Sequence, residues 1–222
     1  MKKEIVALVP VKASSERVQC KNTRPFHDTN LYELKLSNLK PVKGFSNIIV
    51  SSEDKRLLEI ARDFGFDIHL RDPKYSTSTI PMSEVYSYVA SEITGEHIAW
   101  VNVTNPLAES KVYEDAINLY EEMDSTFDCL LSVFEVKEYL FYNGRPVNFR
   151  PHPWARSQDL AGVCAMSFVI NILRREDMAR WGSCVGESPY FYYLDPVTST
   201  DVDYQWNFDF CEMIYRNRLS AR

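Results

Sequence analysis

The sequence predicts an α/β fold, a mostly parallel sheet flanked by helices, and three observations predict it. Short apolar runs of strand length alternate with stretches of helical periodicity. Breakers stand between the segments, at Pro41 and Gly44, Gly65, and Pro73. The first apolar run, Ile5 to Val9, empties at Pro10 into a loop rich in cations (Lys12, Arg17, Lys21, Arg24), the grammar of a buried strand feeding a phosphate-handling loop. At 222 residues the chain is long enough for one sizeable core, read as a single domain over 1–222 with an excursion at about 137–161.

After the loop, Leu31, Leu34, Leu36 and Leu39 form an imperfect helical stripe. Asn47 to Ser51 reads as a second buried strand. Ser52-Glu53-Asp54 opens a helix with Leu57, Leu58, Ile60, Ala61 and Phe64 on its apolar face, closed by Gly65 in the position that favours a left-handed cap. Phe66 to Leu70 is a third strand, so the pattern to this point is β-loop-α-β-α-β, which calls for parallel strands and right-handed crossovers. A Ser- and Thr-rich loop over residues 72 to 81 precedes a helix from Met82 to Ile93 and a central strand from His97 to Val103. A helix over Lys111 to Met123 and a strand over Phe127 to Val136 follow. Asn143-Gly144 between aromatic and β-branched residues is a strong hairpin signal, and with Pro146, Pro151 and Pro153 it marks a two-stranded flap. A flap this small and apolar packs against something, and a second subunit is the expected cover. A strand over Val163 to Ile172, a helix over Leu173 to Trp181, an edge strand over Phe191 to Leu194 and a last helix over Tyr204 to Leu219 complete the chain.

Composition excludes several classes. With 45% hydrophobic and 25% charged residues the chain is of ordinary globular type, and no apolar run approaches the roughly 20 residues that span a bilayer. The N-terminus lacks a convincing signal peptide, so a cytoplasmic location and no membrane are expected. A net charge of −6 argues against nucleic-acid binding. The five cysteines are scattered, with no C-x-x-C pair, and the four histidines have no metal-ligand spacing. Neither a P-loop, nor G-x-G-x-x-G, nor G-x-S-x-G is present.

In open α/β sheets ligands sit beyond the carboxyl ends of the strands. The polar residues just past each strand sample that place. They are Lys12, Ser14, Ser15, Arg17, Lys21 and Asn22 after the first, Ser51 to Asp54 after the second, and Arg71 with the Ser76 to Thr79 loop after the third. Asn102, Thr104 and Asn105 follow the central strand. The collection is basic and amide-rich, as a nucleoside triphosphate requires. Arg71 has two readings, a guanidinium near a base or ribose, or a structural partner of Asp72 or of a backbone carbonyl. Asp201 and Asp203 stand two apart, so on an extended segment both face one side, where a hard cation would relieve their repulsion. Alternatively, one of them caps the last helix.

Together these segments resemble the CMP-sugar synthetases of the acylneuraminate cytidylyltransferase type, which include the sialate, legionaminate and Kdo activating enzymes. Val9-Pro10-Val11-Lys12 with Lys21-Asn22 is similar to the family's opening I-P-A-R and K-N. Arg71 to Ile80 resembles R-P-x-x-L-A-x-D-T-A, Asn102 to Leu107 resembles Q-P-T-S-P-L, Arg156 to Leu160 resembles R-x-Q-D-L, and Asp201-Val202-Asp203 resembles D-I-D. The sequence departs from the pattern at Lys12, which replaces an arginine, and at Ser14, Ser15, Glu16 and Arg17, which replace loop glycines. Ser78, Asn102 and Ala165-Met166 replace an aspartate, a glutamine and N-G.

The resemblance implies a Rossmann-like fold of the nucleotide-diphospho-sugar transferase type and transfer of CMP from CTP to an acidic sugar, with release of pyrophosphate. By the same resemblance Lys12 and Lys21 carry the catalytic charge neutralisation, and Arg17, Asn22, Arg71, Thr79 and Asn102 join them in holding the nucleotide. Asn102, Thr104, Arg156 and Gln158 would face the acceptor, Asp201 and Asp203 would bind Mg2+, and the flap would make a homodimer. Two alternatives stand beside this reading, a cytidylyltransferase for a non-sugar acceptor such as a phosphonate, and a catalytically silent nucleotide-binding homologue.

Overall fold

The structure, a computed structural model, describes residues 2–15, 17–160 and 162–221; Glu16 of the first loop and Ala161 at the end of the flap lie outside the described residues. The elements follow the expected alternation. Strand β1 (Ile5–Pro10) leads to helix α1 (Leu31–Leu39), β2 (Asn47–Ser52), α2 (Lys55–Asp63), β3 (Asp67–Leu70), α3 (Met82–Glu92), β4 (His97–Trp100), α4 (Ser110–Glu122) and β5 (Cys129–Glu135). The flap strands β6 (Phe141–Tyr142) and β7 (Arg145–Pro146) come next, then β8 (Cys164–Arg174), α5 (Arg175–Trp181), β9 (Pro189–Tyr193) and α6 (Gln205–Ser220).

Seven strands form one sheet in the order β3-β2-β1-β4-β8-β5-β9. Among the described strands of this sheet only β8 runs against its neighbours; the pairs β1–β2, β2–β3, β1–β4 and β5–β9 are parallel. This is the Rossmann-like sheet that the apolar runs called for, and burial explains it. Ile5, Ala7, Leu8 and Val9 of β1 are all inaccessible to solvent. A strand buried on both faces needs helices over both, and the crossovers supply them. Helices α1, α2, α4 and α6 cover one face, where Leu31, Leu58, Tyr113 and Phe208 share a core, and α3 and α5 cover the other with Val89 and Met178.

Local signals set the element ends. Asn30 caps α1 through a bond from the Glu33 N–H (2.9 Å), and Asp54 caps α2 through one from Arg56 (2.8 Å). Gly65 takes φ +85 after α2, as its position demands. The central strand ends at Trp100 rather than Val103: the Val101 N–H still donates to Leu8 O (2.9 Å), and a turn follows at Val103 and Thr104. Opposite, the β5–β8 register slips between Leu131 and Val133, with Phe168 at φ 58, and the Ser132 hydroxyl satisfies the Ile170 N–H (3.0 Å).

The hairpin forms where Asn143-Gly144 asks for it, with both turn residues at positive φ (49 and 75) and Tyr142 paired with Arg145. Tyr139, Phe149 and Trp154 cluster at its base, with ring centroids 4.7–5.4 Å apart. Phe141, Tyr142 and Trp154 remain more than half exposed on this chain. No described helix is long and apolar enough to cross a membrane.

Candidate active site

Strand β1 connects to β2 on one side, while its other neighbour, β4, is reached only after the chain has crossed to the opposite face. Beyond the carboxyl ends of β1 and β4 the loops therefore diverge and leave a crevice. A cavity of about 510 Å³ lies there, lined by Lys12, Arg17, Lys21, Asn22, Arg71, Asn102, Thr104, Asp201 and Asp203. Residues far apart in the chain, from the first loop to the segment before α6, thus share one wall.

The acidic pair is held as the alternation requires. The Val202 N–H donates to Thr104 O (2.8 Å) and the Val202 side chain is wholly buried, so its two neighbours project the other way. Neither aspartate caps α6. The cap is Tyr204, whose N–H donates to Asn207 Oδ1 (3.0 Å). Asp203 takes Arg17 at 2.7 Å and Lys21 at 3.7 Å, and Lys21 Nζ also donates to Val202 O. Asp201 Oδ1 is buried and has no hydrogen-bond partner among the described residues. Burial pushes the Asp201 carboxyl above the usual carboxylate range, and the Asp203 charge pushes it the same way against Thr104 and Lys21. Burial pulls the Lys21 ammonium down, with Asp201 and Asp203 resisting.

The first loop is stapled by its own polar groups. Asn22 Nδ2 donates to Lys12 O (3.0 Å), the Tyr32 N–H donates to Asn22 O (2.9 Å), and Val18 is buried as an apolar anchor. The buried Arg71 donates from Nη2 to Val11 O (2.8 Å) and to Glu53 (3.1 Å), and from Nε to Ser76 Oγ (2.9 Å). Of the structural roles open to Arg71, capping a carbonyl is therefore real, whereas Asp72 instead caps the 3-10 turn Pro73–Ser76 through the Lys74 N–H (2.8 Å). Asn102 Oδ1 accepts from Trp100 Nε1 (3.0 Å). An indole N–H only donates, so this bond fixes the amide, and the Asn102 NH2 group is left as a donor toward ligand.

Three expected residues lie elsewhere. Thr79 is exposed and its hydroxyl meets that of Thr77 at 3.1 Å. Arg156 pairs with Asp159 (2.6 Å) on the exposed flap, with Gln158 beside it, and neither lines the cavity of its own chain. The structure adds an apolar wall of Tyr75, Met82, Val85 and Trp100 to the cavity. Trp100 had a signal in the sequence, because it precedes Asn102 by one strand repeat; Tyr75, Met82 and Val85 reach the cavity only through the packing of α3 and its entry loop.

As a site for Mg2+ the pair is incomplete but fitting. Among the described residues no group of three or more His, Cys, Asp or Glu gathers to hold a metal. A hard ion that keeps several waters and takes substrate phosphates needs only one or two carboxylates, and the unpartnered Asp201 oxygen is such a donor.

Comparisons with known proteins give the family. A family model described as cytidylyltransferase matches residues 6–158. The chain is 25% identical over 134 residues to an N-acylneuraminate cytidylyltransferase of Escherichia coli, covering 60% of this chain and 32% of that one. It is 23% identical over 166 residues to a pseudaminic acid cytidylyltransferase of Campylobacter jejuni, covering 70% and 72%. In fold it is similar to a CMP:2-keto-3-deoxy-manno-octonic acid synthetase complexed with CTP, at TM-score 0.70 and 13% identity over 97% of this chain and 99% of that one. With the family match running from the first strand into the flap, over residues 6–158 of 222, this protein belongs to the cytidylyltransferase family.

Proposed function

We propose that the chain transfers CMP from CTP to an acidic sugar, a sialic acid-like or Kdo-like keto-acid. A hydroxyl oxygen of the acceptor attacks the α-phosphorus and forms the new P–O bond as the α–β phosphoanhydride bond breaks. Pyrophosphate leaves and the hydroxyl proton passes to solvent. The carrying observation is the single crevice in which Lys12, Arg17 and Lys21 meet Asp201 and Asp203. Both substrates are anions and phosphoryl transfer asks little covalent chemistry of the protein, so aligned cations do most of the work.

In this reading Lys12 and Lys21 face the triphosphate, while Arg17, Asn22 and Arg71 frame the nucleotide. Asp201 and Asp203 hold Mg2+, which when bound neutralises charge on the phosphates. Asn102, as an oriented donor, and Thr104 face oxygen atoms of the acceptor. Names of relatives that act on N-acylneuraminate and pseudaminic acid support the acceptor class. Incubation with CTP, Mg2+ and a panel of N-acylneuraminate, pseudaminate, Kdo and a phosphonate should release pyrophosphate with at least one sugar acid. CTP alone should raise the melting temperature. No release with any sugar acid, together with no thermal shift, would sink the reading; release with the phosphonate alone would replace the acceptor.

The exposed flap belongs to the same reading. Its uncovered Phe141, Tyr142 and Trp154 suit a second copy of the chain, which would bring Arg156 and Gln158 toward the neighbour's acceptor. Sedimentation velocity at micromolar concentration should give a dimer, and Phe141→Asp combined with Trp154→Asp should give a folded monomer with weakened acceptor binding. A monomeric wild-type protein would refute the flap's role.

A further inference from the structure

Glu53 stands one residue past β2 and at no point in the proposed chemistry does it touch substrate, yet it joins two segments that border the cavity, the loop after β1 and the loop after β3. Its Oε1 accepts from the Ala13 N–H (3.1 Å), and its Oε2 accepts from Ser76 Oγ (2.8 Å) and from Arg71 Nη2 (3.1 Å). The same Arg71 nitrogen donates to Val11 O (2.8 Å), and Asn22 holds Lys12 O (3.0 Å). The backbone of Val11, Lys12 and Ala13 is therefore bound at three consecutive residues, two of them through the Glu53–Arg71 pair. The pair is sheltered, with side-chain exposures of 18% and 5%, so it is weakly screened.

We propose that Glu53 is a positioning residue of the nucleotide site, whose carboxylate locks the Arg71 guanidinium against the Val11–Ala13 backbone so that Arg71 and Lys12 are presented together to the triphosphate nucleotide. This rests on the nucleotide-binding reading of the cavity. Both Glu53 oxygens are occupied, so it acts through its neighbours and not as a base. Burial would raise its carboxyl, but hydrogen bonds from its own backbone N–H, Ser76, Ala13 and Arg71 overcome this and leave it below the usual range, as an ionised anchor must be. An uncharged replacement leaves a buried guanidinium without its counter-charge, free to seek other partners, and blurs the geometry of the first loop.

The test compares wild type, Glu53→Gln, Arg71→Met and the double variant. CTP affinity is measured by calorimetry, and steady-state pyrophosphate release is measured with a saturating concentration of whichever of N-acylneuraminate, pseudaminate or Kdo the wild type turns over. Wild type that binds no CTP would overturn the nucleotide reading itself, independently of Glu53. Given wild-type binding, Glu53→Gln should raise the KM and Kd for CTP by about tenfold or more, the scale of one charge-assisted hydrogen bond, and change kcat far less. In the Arg71→Met background the same substitution should add much less than its effect alone. A purely structural role would lower the melting temperature and the active fraction while leaving the KM of the folded fraction unmoved. An unchanged KM, or effects of the two substitutions that multiply, would overturn the inference. Should Glu53→Gln fail to fold, Ser76→Ala removes the hydroxyl that touches both partners, and it should raise the CTP KM by about threefold. An unchanged KM in that variant would overturn the inference equally.

Discussion

Asp201→Asn and Asp203→Asn are each expected to lower Mg2+-dependent pyrophosphate release by about 10²–10³-fold, the loss seen when one preorganised electrostatic contact to a transition state is removed. The two should differ in stability. Asp201 has a buried oxygen with no hydrogen-bond partner among the described residues and a carboxyl raised by burial, so a neutral amide there relieves a buried charge, and the melting temperature should hold or rise. Asp203 faces Arg17 and Lys21 at a partly exposed place, where an ion pair contributes about 1 kcal/mol or less, so a small drop is expected. Because α6 is capped by Tyr204 and Asn207, neither substitution removes a helix cap. Assay at graded Mg2+ with a melting curve for each variant checks both halves. Full activity in both variants would show that the pair has no role in turnover.

The second large effect concerns Lys35, a wholly buried lysine on α1 whose ammonium donates to Asn105 O (2.9 Å) and to the Tyr113 hydroxyl. Burial pulls it down to about 7, with the Asp201 charge acting the other way. Its folded value therefore lies well below the unfolded one, near 10.4. Between these values the unfolded chain binds more protons, so this group makes stability rise with pH, by about 2 kcal/mol from pH 7 to pH 9. Lys35→Met removes that rise. It also leaves Asn105 O and Tyr113 Oη short of a donor, a cost of about 1–3 kcal/mol that does not depend on pH in this window. Denaturant unfolding of both proteins at pH 7 and pH 9 should show the variant losing about 2 kcal/mol more against wild type at the higher pH. An equal difference at both pH values would mean that Lys35 stays charged throughout. Other titrating groups cancel in the comparison.

Lys35 also shows where reading a sequence stops. A lysine among Leu31, Leu34, Leu36 and Leu39 reads as the solvent side of an amphipathic stripe, but α1 is packed between the sheet, α4 and the segment carrying Asn105, and is buried at Tyr32 and Lys35 as well. Glu53 is similar. Its place after a strand marked it as near the crevice, yet its partners come from two other loops, Ala13 from the one after β1 and Arg71 and Ser76 from the one after β3, and no periodicity encodes their meeting. Thr79 shows the reverse failure. It sits in a matching motif, but the 3-10 turn Pro73–Ser76 and the Thr77 contact leave it outside the cavity.

By itself the sequence determined the order of strands and helices, the hairpin at Asn143-Gly144 and the common side of Asp201 and Asp203, because each is local. Period, turn chemistry and alternation act over a few residues. What only the tertiary structure decided is which of the collected polar groups share a wall. Lys12, Lys21, Arg71, Asn102 and Asp201 meet because β4 joins the free side of β1 and the loops beyond the two strands part there, which depends on the order in which strands pair across the sheet.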